Sequence, residues 1–241
     1  MEIQTDRWGG ILLTIPAPFA LPEEMRNDFL EKWEGANEDG EVDDLLAEAE
    51  RIAAPKAYVL PTFVAERDER GVRLTVPFEH TEGAPVRDVR MDSPLLAEKL
   101  EQNTRVVAML ATCGKELHAL SMTQAGDPLL RGVAEDICLL YMRIISGKLR
   151  EYVRDEIVGN AKFSALNPGS LPTWPITAQA ELFSLLGEGA EKCGVELTPS
   201  SLMIPFKSSS GLLFPAEIRF ESCMRCPRLT CPGRRAPYEG T

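Results

Sequence analysis

Histidine, aromatic side chains, positive charge and long apolar runs are all scarce in this chain. Its two histidines, His80 in FEHTEG and His118 in KELHAL, read as surface residues. Neither has a serine or cysteine visibly paired to it, so nucleophilic triads and histidine-rich catalytic zinc sites lack support. Aromatic content is 7 %, and 26 Lys and Arg stand against 37 Asp and Glu, a net charge of −11. That balance repels a phosphate backbone and argues against nucleic acid as partner. No window reaches the ~18 apolar residues of a membrane span. The N-terminus MEIQTDRWGGILLTIP has no positive leader ahead of a long apolar stretch, so no membrane attachment and a cytoplasmic setting are expected. Without an export signal, the six cysteines point away from a disulfide framework and toward a metal, a cluster or redox chemistry.

What is present is an ordinary globular composition, 44 % hydrophobic over 241 residues, with a pattern that changes period along the chain. EVDDLLAEAERIA (41–53) places Leu45, Leu46, Ala49 and Ile52 on one helical face. KAYVLPTFVAE (56–66) and GVRLTVPF (71–78) flank RDERG and predict a hairpin that turns at Gly71. Ser93-Pro94 opens a short helix to Gln102, as an N-cap followed by proline in the first turn. RVVAMLAT (105–112) predicts a buried strand, and residues 128–158 hold a helical period for about eight turns. Cys138 within that helix reads as a packed small hydrophobe, and Cys113 in the TCG turn likewise as packing. A helix over 177–186 with Thr177 as N-cap is followed by strands at 201–207, 211–214 and 217–221. Hairpin, long helices and late meander lack regular βαβ alternation, so the expected class is α+β, a mostly antiparallel sheet packed with long helices. The acidic stretch 34–44 suggests a connection between an N-terminal appendage (1–40) and a main domain (41–221), with a cysteine-rich tail (222–241) beyond.

The order VVAMLATCGKELHAL, long helix, LNPGSLPTWP, AELFSLLG and VELTPSSLMIPFKSSSGLLF resembles the activation domain of cobalamin-dependent methionine synthase, in the form found apart from the full enzyme. The similarity covers roughly residues 55–221, and LTPSSLMIPFKSSSG is its most specific element. The resemblance implies a domain that binds S-adenosylmethionine and lets an oxidised corrinoid be reduced and remethylated. It also implies a ligand loop at Pro168, Gly169 and Ser170, with an acidic residue on the long helix, Glu135 or Asp136. Ala165 stands where the family has an arginine and Ser170 where it has a tyrosine. A methyl group cannot pair with a carboxylate, so weak or absent S-adenosylmethionine binding is expected. By composition alone NPGSLP and SSSG are equally turns.

The tail carries Cys223, Cys226 and Cys231 with Pro227 and Pro232 directly after two of them. Thiolates two residues apart reach one metal from a single turn, and the third closes around it. Three thiolates suit an iron-sulfur cluster with one iron open to another ligand, whereas zinc would need a fourth ligand from Cys113, Cys138, Cys193, His80 or His118. Arg225, Arg228, Arg234 and Arg235 would offset the cluster's negative charge. A mobile tail of uncoordinated thiols is the plain alternative. The leading expectation is an accessory protein of corrinoid metabolism, which reductively activates a cobalamin-carrying partner or methionine synthase through that cluster. The alternatives are an S-adenosylmethionine-binding reactivation protein with a zinc tail, and an interaction scaffold.

Overall fold

A computed structural model describes residues 1–76, 87–159, 162–216, 220–230, 234 and 236–240. In chain order the elements begin with β1 (Glu2–Thr5), β2 (Ile11–Thr14), α1 (Glu23–Lys32) and α2 (Glu41–Ile52). Next come β3 (Lys56–Asp68), β4 (Gly71–Thr75), β5 (Asp88–Asp92), α3 (Pro94–Lys99) and β6 (Arg105–Thr112). α4 (Lys115–Thr123), α5 (Pro128–Tyr152) and β7 (Phe163–Leu166) follow. The last are α6 (Gln179–Leu186), α7 (Glu188–Cys193), β8 (Glu196–Leu197), β9 (Met203–Ile204) and β10 (Ser208–Pro215).

Apolar residues occupy successive positions in β3 and β6, so these strands bury both faces. Ala57, Val59, Val107, Met109 and Ala111 enter one core, and Tyr58, Leu60, Val106, Ala108 and Leu110 enter the other. Because side chains alternate across a strand, each core needs its own helical cover. α1, α2, α4 and α5 supply it on the first face, and α3, α6 and α7 on the second. The main sheet is antiparallel throughout, in the order β1-β2-β3-β6-β10-β7, with β4 and β5 extending from the far half of β3. β8 and β9 form a separate two-stranded ribbon. The α+β class with an antiparallel sheet is therefore the architecture found.

Several local expectations hold. The β3–β4 hairpin turns where Asp68 accepts from the backbone N–H of Arg70 and Gly71, and a Cβ at Gly71 would collide with the Met91 carbonyl oxygen on β5. Ser93 Oγ caps α3 by accepting from Leu96 N at 3.2 Å. α5 ends at Tyr152 and passes into a π-type turn, Val153–Ile157.

Others are corrected. Residues 1–40 form no separate appendage: β2 pairs with β3 from Ile11↔Val59 to Thr14↔Lys56, and Ile11, Leu13, Ile15, Leu21 and Phe29 are buried in the first core. Thr177 does not cap α6, since it lies inside a 3-10 turn, Ile176–Ala178, that leads straight into the helix. The strand expected at 201–207 shrinks to Met203–Ile204, and β10 begins at Ser208, earlier than expected. Of the strand expected at 217–221, residues 217–219 lie outside the described residues, and Phe220 and Glu221 are not in a strand. No helix among the described residues is long and apolar enough to cross a membrane.

Candidate functional site

The turn after β7 is shaped by its own sequence. Gly169 has φ +81 and faces Ile176, whose side chain leaves no room for a Cβ, so the left-handed conformation falls to glycine. Gly169 N donates to Trp174 O at 2.8 Å and Ser170 N to Asn167 O at 3.1 Å. Asn167 Nδ2 donates to Ser210 O on β10 at 2.6 Å. Pro168 is buried while Gly169 and Ser170 are exposed. The loop folds toward the second core through Leu171 and Trp174, which are 5 % and 0 % exposed.

Glu135 rides on α5, against the first core. Its carboxylate meets Arg131 Nε at 3.3 Å and Lys207 Nζ at 3.5 Å. Burial alone would raise its pKa, but the hydrogen bond from Arg131 and the charge of Lys207 leave it below the usual glutamate value. Asp136, the other acidic candidate, accepts from Lys32 Nζ at 2.6 Å and Trp33 Nε1 at 3.0 Å, so it ties α5 to α1. The loop thus packs through Leu171 and Trp174 on the second core, while Glu135 lies on α5 against the first.

Position 165 decides the fit of the expected ligand. Ala165 is 6 % exposed, packs in the first core and pairs with Leu213 of β10. The loop's N–H groups at Gly169 and Ser170 are already bonded within the loop.

In the tail, Ser222–Met224 make a single 3-10 turn and Cys226 N donates to Cys223 O at 3.4 Å. Arg234 sends its guanidinium to the carbonyl oxygens of Cys223, Cys226, Arg228 and Ala236 at 2.6–3.0 Å. Arg225 bonds Glu98. Arg234 therefore keeps its positive charge beside Cys223 and Cys226, while Arg225 is neutralised by the Glu98 carboxylate. Cys223 and Cys226 are half-buried, while Cys231, Arg235 and His80 lie outside the described residues. Among the described residues no group of three His, Cys, Asp or Glu side chains is placed to hold a metal ion.

Cys113 and Cys138 are 1 % and 2 % exposed, as packing residues. His118 is half-buried rather than a free surface residue, and its ring meets Phe206 edge-on at 5.4 Å. The sequence reading missed Lys207, which follows the MIPF run and projects onto α5. Its one available signal was its place at the head of the SSSG strand.

Comparison with protein-family models and with curated protein sequences gives no match. Among solved structures, the chain is similar to a crystal structure of the MetH reactivation domain bound to AdoHcy. The TM-score is 0.57 at 17 % identity, covering 88 % of this chain and 81 % of that one. The two share a fold, the fold that the sequence resemblance implied.

Proposed function

We propose that the chain acts on a corrinoid-bearing partner of the methionine synthase type, taking the part of the reactivation domain whose fold it shares. The observation that carries this reading is the likeness across 88 % of the chain, which includes the LTPSSLMIPFKSSSG segment. In that segment Leu202, Ile204 and Phe206 are 49 %, 39 % and 55 % exposed. Three large exposed apolar side chains within five residues, the last against His118 of α4, suit a protein partner rather than water.

Of the ligand residues, Pro168, Gly169 and Ser170 keep the turn and Glu135 keeps a carboxylate on the long helix. With a buried methyl group at position 165 and the N–H groups of Gly169 and Ser170 bonded within the loop, no step is assigned to S-adenosylmethionine. For the tail we propose Cys223, Cys226 and Cys231 as the ligand set of an iron-sulfur centre, which would supply one-electron chemistry. The support is the two-residue spacing on a tight turn that Arg234 holds.

The test uses the full chain and a corrinoid-loaded methionine synthase lacking its own reactivation domain. The mixture should co-elute, and cobalt reduction followed by absorbance should be faster than with partner alone. The triple substitution L202S/I204S/F206S should abolish both effects. No association at micromolar concentrations would overturn the docking reading. Iron below one atom per chain in anaerobically purified protein would overturn the tail reading and leave docking standing.

A further inference from the structure

A cavity of about 170 Å³ opens between α4, α5 and the segment ahead of β10. Cys113, Cys138, His118, Arg131, Glu135 and Lys207 line it, with Met122 and Phe206 at its exposed rim. Cys113 ends the β6 turn and Cys138 lies mid-way along α5, so only the α4–α5 hairpin brings them to one wall. Cys113 Sγ donates to Gly114 O at 3.6 Å and Cys138 Sγ to Leu117 O at 3.4 Å. These are weak bonds, and the two sulfurs remain unbridged and within hydrogen-bonding reach of each other.

Reactive cysteines sit in partly open, electropositive surroundings, whereas structural ones are sealed in apolar surroundings. Cys113 and Cys138 are 1 % and 2 % exposed to bulk solvent, yet both line this cavity, whose wall is made electropositive by Lys207 and Arg131 on either side of Glu135. We propose that Cys113 and Cys138 form a dithiol site for peroxides, with hydrogen peroxide or a small alkyl hydroperoxide as the substrate class. The cavity has space for a few water-sized molecules, which suits a peroxide and excludes a tripeptide disulfide.

The roles of the two sulfurs differ. Turned from Gly114 O toward its neighbour, the Cys113 S–H stabilises a Cys138 thiolate, with help from the Lys207 charge and against the cost of burial, so Cys138 is the easier thiol to ionise. The same bond to its partner, and burial, hold the proton on Cys113. The Cys138 thiolate attacks one peroxide oxygen and the O–O bond breaks. Cys138 becomes a sulfenic acid, and the released hydroxide takes the proton that Cys138 gave up and leaves as water. The Cys113 sulfur then attacks Cys138 sulfur, the S–O bond breaks, and hydroxide leaves as water with the Cys113 proton. Two thiols and one hydrogen peroxide become one disulfide and two waters. The sulfurs lose two electrons and the peroxide gains them. This site does not depend on the corrinoid reading.

The experiment treats reduced, folded, full-length protein with a modest excess of hydrogen peroxide, then alkylates and maps peptides by mass spectrometry. A Cys113–Cys138 linked peptide pair, two hydrogens lighter and restored by dithiothreitol, is expected. In C113S, dimedone should capture a sulfenic acid on Cys138, and K207M should slow disulfide formation severalfold. Both cysteines remaining reduced in wild type, with circular dichroism reporting an intact fold, would overturn the proposal. So would a sulfenic acid on Cys113 in C138S that forms as fast as that on Cys138 in C113S. If C113S does not fold, the wild-type peptide map alone decides.

Discussion

Arg225 grips Glu98 with two hydrogen bonds of 2.7 Å, one from each terminal nitrogen, across 127 positions of sequence. The pair pins the start of the tail to α3, and the Phe220 ring lies between Lys99 and Arg225 at 4.8 and 5.7 Å. Those Arg225 bonds, then the one from Lys99, hold Glu98 at about 2.

A folded value below the ordinary carboxylate range means that the contribution is complete above that range and fades as pH falls toward 2. The partners are 32 % and 47 % exposed, so water screens them and the pair is worth at most ~1 kcal/mol. Denaturant titrations of wild type and E98Q should therefore differ at pH 7, draw together as pH falls below the ordinary glutamate range, and converge only near pH 2. A gap that stays constant would show that the ion pair contributes nothing.

Arg234 organises the tail by donating to four carbonyl oxygens at once. Lysine carries the charge but lacks the planar fork. R234K should make residues 222–240 about tenfold more susceptible to limited proteolysis, corresponding to the loss of one charged hydrogen bond of ~1.5 kcal/mol. The melting temperature of the main domain should stay unchanged. Equal cleavage rates in the two proteins would rule out this role.

Asp6 anchors the β1–β2 hairpin. It accepts from Tyr58 Oη and Lys192 Nζ at 2.8 Å and from the N–H groups of Trp8 and Gly10 at 2.9 Å. Burial would raise its pKa, yet the bonds from Lys192, Tyr58 and the two backbone groups keep it below the usual aspartate value. The stabilisation is thus present at neutral pH and lost as pH falls through the acidic range. D6A should cost ~1–3 kcal/mol in denaturant unfolding, and removing residues 1–40 should abolish cooperative unfolding. A truncated chain that still melts in a single sharp transition would contradict the pairing of β2 with β3.

Restoring an arginine at position 165 should not restore a ligand clamp. Ala165 lies in the first core against Leu213, and an unpaired buried charge costs ~3–5 kcal/mol. A165R should fall sharply in denaturation midpoint. Wild type should bind S-adenosylmethionine more than ~10-fold more weakly than a chain with a charge-assisted carboxylate bond, since such a bond contributes ~1.5–3 kcal/mol. Low-micromolar binding to wild type by calorimetry would refute this.

Local signals made much of this molecule legible in its sequence. The β3–β4 hairpin, the Ser93 cap, β6, α2 and the long α5 are set by residues within a few positions of one another, through side-chain period, capping and turn chemistry. The antiparallel α+β class followed from their order, and the resemblance of LTPSSLMIPFKSSSG pointed to the shared fold. Tertiary structure alone decided the rest, because those features join segments far apart in sequence. β2 enters the sheet by pairing with β3 and β1 by pairing with β2, which no local pattern in a four-residue strand announces. Ala165 faces the first core because β7 pairs with β10 in one register. Arg234 was legible as a charge but not as a hub, since its partners are backbone carbonyls of no particular residue type. Cys113 and Cys138 each read as packing in isolation, and their shared cavity with Lys207 exists only once β6, α5 and β10 are folded together.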